Sequence, residues 1–288
     1  MENRKGSGIF LGIVSIATLI VAIIGATFAY FSASTESNEG AVGLEAYEYK
    51  MSLKVEKVYP VEPAALIPLN PSTKIKRTDG KYIKYDENGD IVATDSADDN
   101  VITNVIYAVN EAKNKCIDDN GMQVCAIYKV TITNESGNEV TLTGELETTS
   151  NIASSKPERT PFKNLAYQEL TGTPENGFAI ALDGDGRAKA PVTLATDVGG
   201  SIRLGNIKVY GGTTVDGVFT PGIGVGYILI YLNDIGADQG SEMGASMTGK
   251  LKYSTEGGLG STLTGSFTVS GEPDPEPEPD PVPDDPTE

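Results

Sequence analysis

Residues 227–232 read Tyr-Ile-Leu-Ile-Tyr-Leu (YILIYL), and the fold follows from them. An extended chain points alternate side chains to opposite sides, so this run is apolar on both faces and predicts a strand at the centre of a sheet. The surrounding sequence supplies strands with only one apolar face. In 124–133 (VCAIYKVTIT), Val124, Tyr128, Val130 and Ile132 share one face, and Lys129, Thr131 and Thr133 the other. Segment 139–147 sets Val140, Leu142 and Leu146 against Thr141, Thr143 and Glu145. Segment 247–253 sets Met247, Leu251 and Tyr253 against Thr248, Lys250 and Lys252. In 262–269, Leu263, Phe267 and Val269 oppose Thr262, Thr264, Ser266 and Thr268. A period of two with β-branched residues means half-buried antiparallel strands. Many such strands with Gly-rich connections predict an all-β fold, an antiparallel β-sandwich or jelly roll, over 44–271.

Turn signals refine this outline. Asp79-Gly80 and Asn88-Gly89 punctuate a stretch with no clean apolar face, because Lys74, Lys76, Lys81 and Lys84 fall on both sides. Residues 72–100 are therefore expected to form an exposed ribbon inserted into the domain. A third turn, Asn120-Gly121, predicts a two-residue type I′ loop. That register pairs 119 with 122 and 117 with 124, and sets Cys116 opposite Cys125 where side chains approach closest. Ile117 and Val124 would then point inward together. Two cysteines placed face to face in an exported chain predict a disulfide, worth about 2–3 kcal/mol for so short a loop.

Both ends depart from the strand pattern. Ile9–Phe31 (IFLGIVSIATLIVAIIGATFAYF) carries no charge and follows Arg4 and Lys5. As a helix it would reach about 35 Å, enough to cross a bilayer. Basic residues ahead of it keep that end cytoplasmic and send the rest out. Two readings stand for residues 1–29: a signal peptide cut between Ala29 and Tyr30, with Thr27 and Ala29 as the small residues before the cut, or an uncut signal anchor. Residues 30–43 form a linker or donor strand. At the other end, 272–288 (EPDPEPEPDPVPDDPTE) alternates acids and prolines and is expected to be a disordered, solvated spacer.

Composition excludes several functions. The 288 residues contain 22 Lys plus Arg against 40 Asp plus Glu, a net charge of −18. That balance argues against nucleic acid and against an anionic membrane surface as partners. His is absent, which removes Ser-His-Asp, Cys-His and H-E-x-x-H chemistry. The chain is expected not to be an enzyme, and no cofactor or metal site is assigned. The acidic groups Asp86-Glu87-Asn88-Gly89-Asp90, Asp95 to Asp99 and Asp183-Gly184-Asp185-Gly186 each resemble a fragment of a calcium loop, yet none completes the motif. Polar turn chemistry explains them. A carboxylate pair for glycoside hydrolysis and a Lys129–Asn233 isopeptide bond are left as open questions.

Two stretches carry a family resemblance. Gly25-Ala26-Thr27-Phe28-Ala29-Tyr30-Phe31-Ser32, followed by the acidic, Gly-containing Glu36 to Gly43, resembles export signals cut by the signal peptidase SipW. Asn233-Asp234-Ile235-Gly236-Ala237-Asp238-Gln239-Gly240, followed by Met243-Gly244, is similar to a segment of the TasA/camelysin family. Val130 to Gly137 resembles that family's strand ending in Asn. The 60–110 insertion, the cysteine hairpin and the acidic tail depart from the pattern. The resemblance implies a jelly-roll domain, export to the cell surface or biofilm matrix, and assembly into fibres. In such fibres the segment freed by cleavage joins a neighbour's sheet. The partners implied are further copies of this chain, a SipW-type signal peptidase and, before cleavage, the membrane. An anchored monomeric adhesin is the alternative, and an extracellular hydrolase the third reading.

Overall fold

A computed structural model describes residues 44–46, 49–62, 64–70, 73–97, 101, 104–152, 158–194, 200–242, 244–255 and 262–271, all within the unit spanning 43–288. The segments 1–43 and 272–288, with the expected Ala29–Tyr30 cleavage site and the acidic tail, lie outside the described residues. In chain order the elements are β1 (Leu44–Ala46), β2 (Tyr49–Tyr59), β3 (Pro68–Leu69), β4 (Tyr82–Tyr85), β5 (Ile91–Thr94) and α1 (Val105–Asn110). There follow β6 (Ala126–Asn134), β7 (Val140–Ile152), β8 (Leu165–Thr173), β9 (Gly177–Ile180), β10 (Val192–Thr193) and β11 (Gly200–Val209). The last are β12 (Thr213–Val215), β13 (Val218–Thr220), β14 (Gly222–Asn233), a 3₁₀ turn (Gly240–Glu242), β15 (Ala245–Thr255) and β16 (Leu263–Ser270).

The fold is all-β and antiparallel apart from β3. An eight-stranded sheet runs β1-β2-β6-β14-β8-β10, with β3 beside β14 and β9 beside β8. A four-stranded sheet runs β11-β7-β15-β16. Tyr227–Leu232 lies in β14, between β6 and β8, as its two apolar faces require. Ile228, Ile230 and Leu232 point to the core between the sheets, where they meet Tyr128, Val130 and Ile132 of β6 and Leu142, Leu146, Met247, Leu251 and Phe267 of the facing sheet. Each such side chain, fully buried, contributes about 1.5–3 kcal/mol. Gly249 is needed there, because a Cβ would come 2.4 Å from Cζ of Phe267, whose ring lies across it.

Leu229 and Tyr231 point the other way, into a second core. A cap of residues 73–125 covers that part of the sheet's outer face. Ile75 (1 % exposed), Tyr82 and Ile83 are buried beside Tyr107, Ala108 and Val109 of α1. The expected exposed ribbon is thus corrected: it is anchored through those buried residues, and its two turns, Thr78–Gly80 and Glu87–Ile91, stand in solvent. The lysines that break the pattern lie between residues aimed at the sheet. The cap is pinned by polar contacts. Asn104 caps α1 by accepting from the Tyr107 N–H at 2.8 Å. Asn110 donates to the carbonyl of Phe178 at 2.7 Å and accepts from the Phe178 N–H at 2.8 Å, tying the helix end to β9.

The turns depart from the two-residue loops predicted. At 86–90 the Asp86 N–H donates to the Asp90 carbonyl at 2.9 Å, which leaves Glu87-Asn88-Gly89 as a three-residue loop with Gly89 at φ +85°. The same loop recurs at 118–122 and 183–187, and at 77–81 with Arg77 in first place. In three of the four the leading aspartate accounts for it. Asp86, Asp118 and Asp183 each accept, on Oδ1, from the backbone N–H groups two and four residues on, at 2.8–3.0 Å. A type I turn with a glycine bulge satisfies that side chain.

Candidate functional site

Cys116 and Cys125 are joined by a disulfide with Cα atoms 4.9 Å apart, both fully buried in the second core. The register differs from the one predicted. Asp118 faces Met122, Ile117 bridges to Gln123, and the Val124 N–H donates to the Cys116 carbonyl at 2.9 Å. Cys116 takes φ +63° to reach its partner. Val124 points into the second core with the disulfide, while Ile117 is only half-buried, so the two do not face inward as a pair. This bond closes the cap. Asp119 beside it accepts from the Lys76 N–H at 2.9 Å and from the Tyr82 hydroxyl. Burial, and then the Asp119 carboxylate, push the Tyr82 phenol up to about 12.

Of the carboxylates that resembled calcium ligands, Asp86 and Asp183 accept from turn amides, Asp95 lies 3.6 Å from the Lys81 ammonium, and Asp98 and Asp99 lie outside the described residues. Among the described residues no three His, Cys, Asp or Glu side chains gather. Lys129 and Asn233 are not brought together. Lys129 stands opposite Tyr227, and Asn233 is at the far end of β14, about 20 Å along the strand. The 233–240 segment is a loop between the sheets, with Gln239 donating to the Asn233 carbonyl at 3.2 Å and Asp238 accepting from the Gly240 N–H at 2.8 Å. It ends at Glu242, only 4 % exposed, which accepts from the Lys163 N–H and the Asn164 side-chain amide at 3.1 Å each.

A cleft of about 260 Å³ opens at the side of the sandwich, where β8 and β10 of one sheet face β11 of the other. It is lined by Tyr167, Glu169, Lys189, Val192, Arg203 and Leu204, among others. Glu169 accepts from Lys189, from the Gly205 N–H at 2.7 Å and from the Tyr167 hydroxyl at 3.3 Å. Gly205 lies at the irregularity in β11 between Arg203 and Asn206, so the carboxylate bridges the sheets. Burial pushes the Glu169 carboxyl up. The hydrogen bonds from Lys189 and Gly205 and the Lys189 charge outweigh it and hold the group below the usual carboxylate range. Burial first, then Glu169, pushes the Tyr167 phenol well up. Among the described residues that line it, Glu169 is the one carboxylate. It has the build of a clamp. No signal for it exists in the sequence, because Lys189 and Gly205 are remote from Glu169 along the chain.

The remaining feature is an open sheet edge. β1 covers only the start of β2, pairing Leu44 with Met51, Glu45 with Lys50 and Ala46 with Tyr49. Beyond Met51, β2 pairs with β6 on one side. Among the described residues nothing pairs with its other side over Ser52–Tyr59. Lys54, Glu56 and Lys57 are exposed along this edge, a charged pattern that deters indiscriminate strand pairing. Against this architecture, no protein-family model, no curated protein and no solved structure matches the chain.

Proposed function

We propose that this chain is an exported surface or matrix subunit, without catalytic activity, that assembles into fibres by β-strand addition, as its resemblance to the TasA/camelysin family implies. The observation that carries this reading is the uncovered β2 edge, which begins where residues 30–43 join the domain. Continued upstream in the β1 register, Gly43 would fall opposite Ser52, and Glu36 opposite Tyr59. The segment freed by cleavage after Ala29 thus has the length of the free edge. Supplied by a neighbouring copy, it completes that copy's acceptor sheet through main-chain hydrogen bonds. Repeated head to tail, such a contact does not close and gives a filament.

Cysteines introduced together at Ala41 and Lys54, which face each other in this register, test the reading. Opposed strand positions lie within disulfide reach, and the native pair is buried and already bonded. Oxidised, processed protein beginning at Tyr30 should give a ladder of covalent oligomers, alongside filaments in the electron microscope. A cross-link confined to monomers means that the strand folds back on its own sheet and defeats assembly by donation. No cross-link at all defeats the register.

A further inference from the structure

The two flanks of the sandwich are built differently. On one, the sheets are packed tight: a Cβ on Gly265 of β16 would come 2.6 Å from Val55 of β2. On the other, β8 and β10 stand off from β11 and leave the cleft of about 260 Å³. The hydrogen-bonding groups of that cleft are unevenly used. Gln168 is engaged at both ends, donating to the Lys189 carbonyl at 3.0 Å and accepting from the Tyr231 hydroxyl at 3.2 Å. Glu169 accepts from Lys189, Gly205 and Tyr167, which leaves it about one of its four lone-pair positions. The donors are in surplus. Lys189 commits one of its three N–H groups, to Glu169. Arg203 offers five, and among the described residues none has a partner. Glu145, opposite Arg203 in the ladder, accepts instead from the Ser201 hydroxyl.

Charge and shape narrow what such a cleft can hold. Its lining carries two cations against one carboxylate, in a chain of net charge −18, so the local sign opposes that of the whole. Val192, 41 % exposed, and Leu204, 5 % exposed, add apolar wall. We propose that this cleft binds a small organic carboxylate, its acid group held by Arg203 and Lys189 and its apolar body lying against Val192 and Leu204. The inference goes beyond the structural role and does not depend on strand donation. A planar guanidinium matches a carboxylate through two parallel N–H bonds. One surplus positive charge suits a monoanion rather than a phosphate dianion. A cavity of about 150 Å³ holds benzene, so one of about 260 Å³ admits a single ring with a short acid arm. Glu169 has the supporting part: fixed by the Gly205 N–H and the Tyr167 hydroxyl, it keeps the Lys189 ammonium in the cleft and neutralises that cation alone.

The probe is 3-phenylpropionate, titrated calorimetrically into the full-length protein in a non-ionic detergent, with the neutral 3-phenylpropanamide as its matched control. The acid should bind with a Kd of about 1 mM or tighter, and at least tenfold more tightly than the amide. Arg203→Gln, at an exposed position, should weaken the acid at least tenfold and leave the amide unchanged. Val192→Asp, which sets a like charge in the wall, should also weaken the acid tenfold or more, and keeps the test open should the first variant misfold. Equal affinities for acid and amide, or for the acid in the native protein and Arg203→Gln, overturn the proposal. A tenfold gain on Asp197→Asn overturns it too, because the chain would then supply its own carboxylate to Arg203; Asp197, between β10 and β11, lies outside the described residues. Binding of a short peptide ending in a free phenylalanine carboxylate, where the small acid fails to bind, would assign the cleft to a chain terminus and overturn it as well.

Discussion

The two halves of β14 are made of one strand and live in different surroundings. Over Ile228–Leu232 both faces are buried, one by the facing sheet and one by the cap. Over Gly222–Gly226 the inward positions are glycines, while Ile223 and Val225 look outward, 60 % and 46 % exposed. The cap simply stops short of them. Apolar character therefore serves two ends along one strand: packing in its second half, an uncovered surface in its first. A sheet with one solvated face is ordinary. Here the outer face is half dry and half bare among the described residues, with β-branched aliphatics on the bare part.

Substitutions can break or sharpen that contrast. Leu229 and Val225 share the outward side of β14. Leu229→Ala should cost about 3 kcal/mol, with the cavity opened beneath the cap, whereas Val225→Ala should change stability by less than about 0.5 kcal/mol. Denaturant midpoints of the two variants would measure both; equal losses would mean that the bare half is covered after all. Next in size, replacing Cys116 and Cys125 together by Ala should cost about 2–3 kcal/mol. The loss should appear first as hydrogen exchange in the cap, with Tyr107 to Val109 opening before the strands of the facing sheet.

A smaller loss than that of the disulfide is expected at the side cleft. Glu169 has a depressed carboxyl pKa, so its stabilisation is fully present above the unfolded value of about 4.3 and is lost as pH falls through the lower folded value. Glu169→Gln should cost about 1–2 kcal/mol at pH 7, by removing the charge-assisted bonds to Lys189 and Gly205. Below the folded value the difference should vanish. Melting temperatures of both proteins between pH 7 and pH 2.5 would show the curves converging; a constant gap would deny the carboxylate its role as a clamp.

Much of the sandwich is legible because alternation survives wherever one face is buried and the other wet, as in β7, β15 and β16. The cap is not. Its buried Ile75 comes from irregular backbone, while Tyr82 and Ile83 are buried in succession on the short strand β4, so no alternation shows, and the lysines between them break any period. Where a turn begins with Asp, the side chain competes for the turn's amides and lengthens the loop, so Asn-Gly alone misleads at 86–90 and 118–122. The two-residue loop in the described chain is Asp216-Gly217, with φ +50° and +76°, between Val215 and Val218. That dipeptide carries the strongest short-range hairpin signal, flanked by Val on either side. The Glu169 clamp and the open β2 edge exist only once remote strands are placed, and no local pattern announces either.

The position of β14 has a consequence for the order in which the molecule is made. β6 and β8 flank it in space but precede it in the chain by many residues. Until Gly222–Asn233 has been synthesised, those two strands have no middle partner, and the apolar residues of both cores lack their shared floor. β1, β2 and β6 can pair as they are made, but β8 and β10 join the large sheet only through β14. That junction is a charge-free hexapeptide of high β-propensity, the kind of segment that aggregates when left waiting. A chain built this way benefits from keeping the time between emergence and insertion of that strand short.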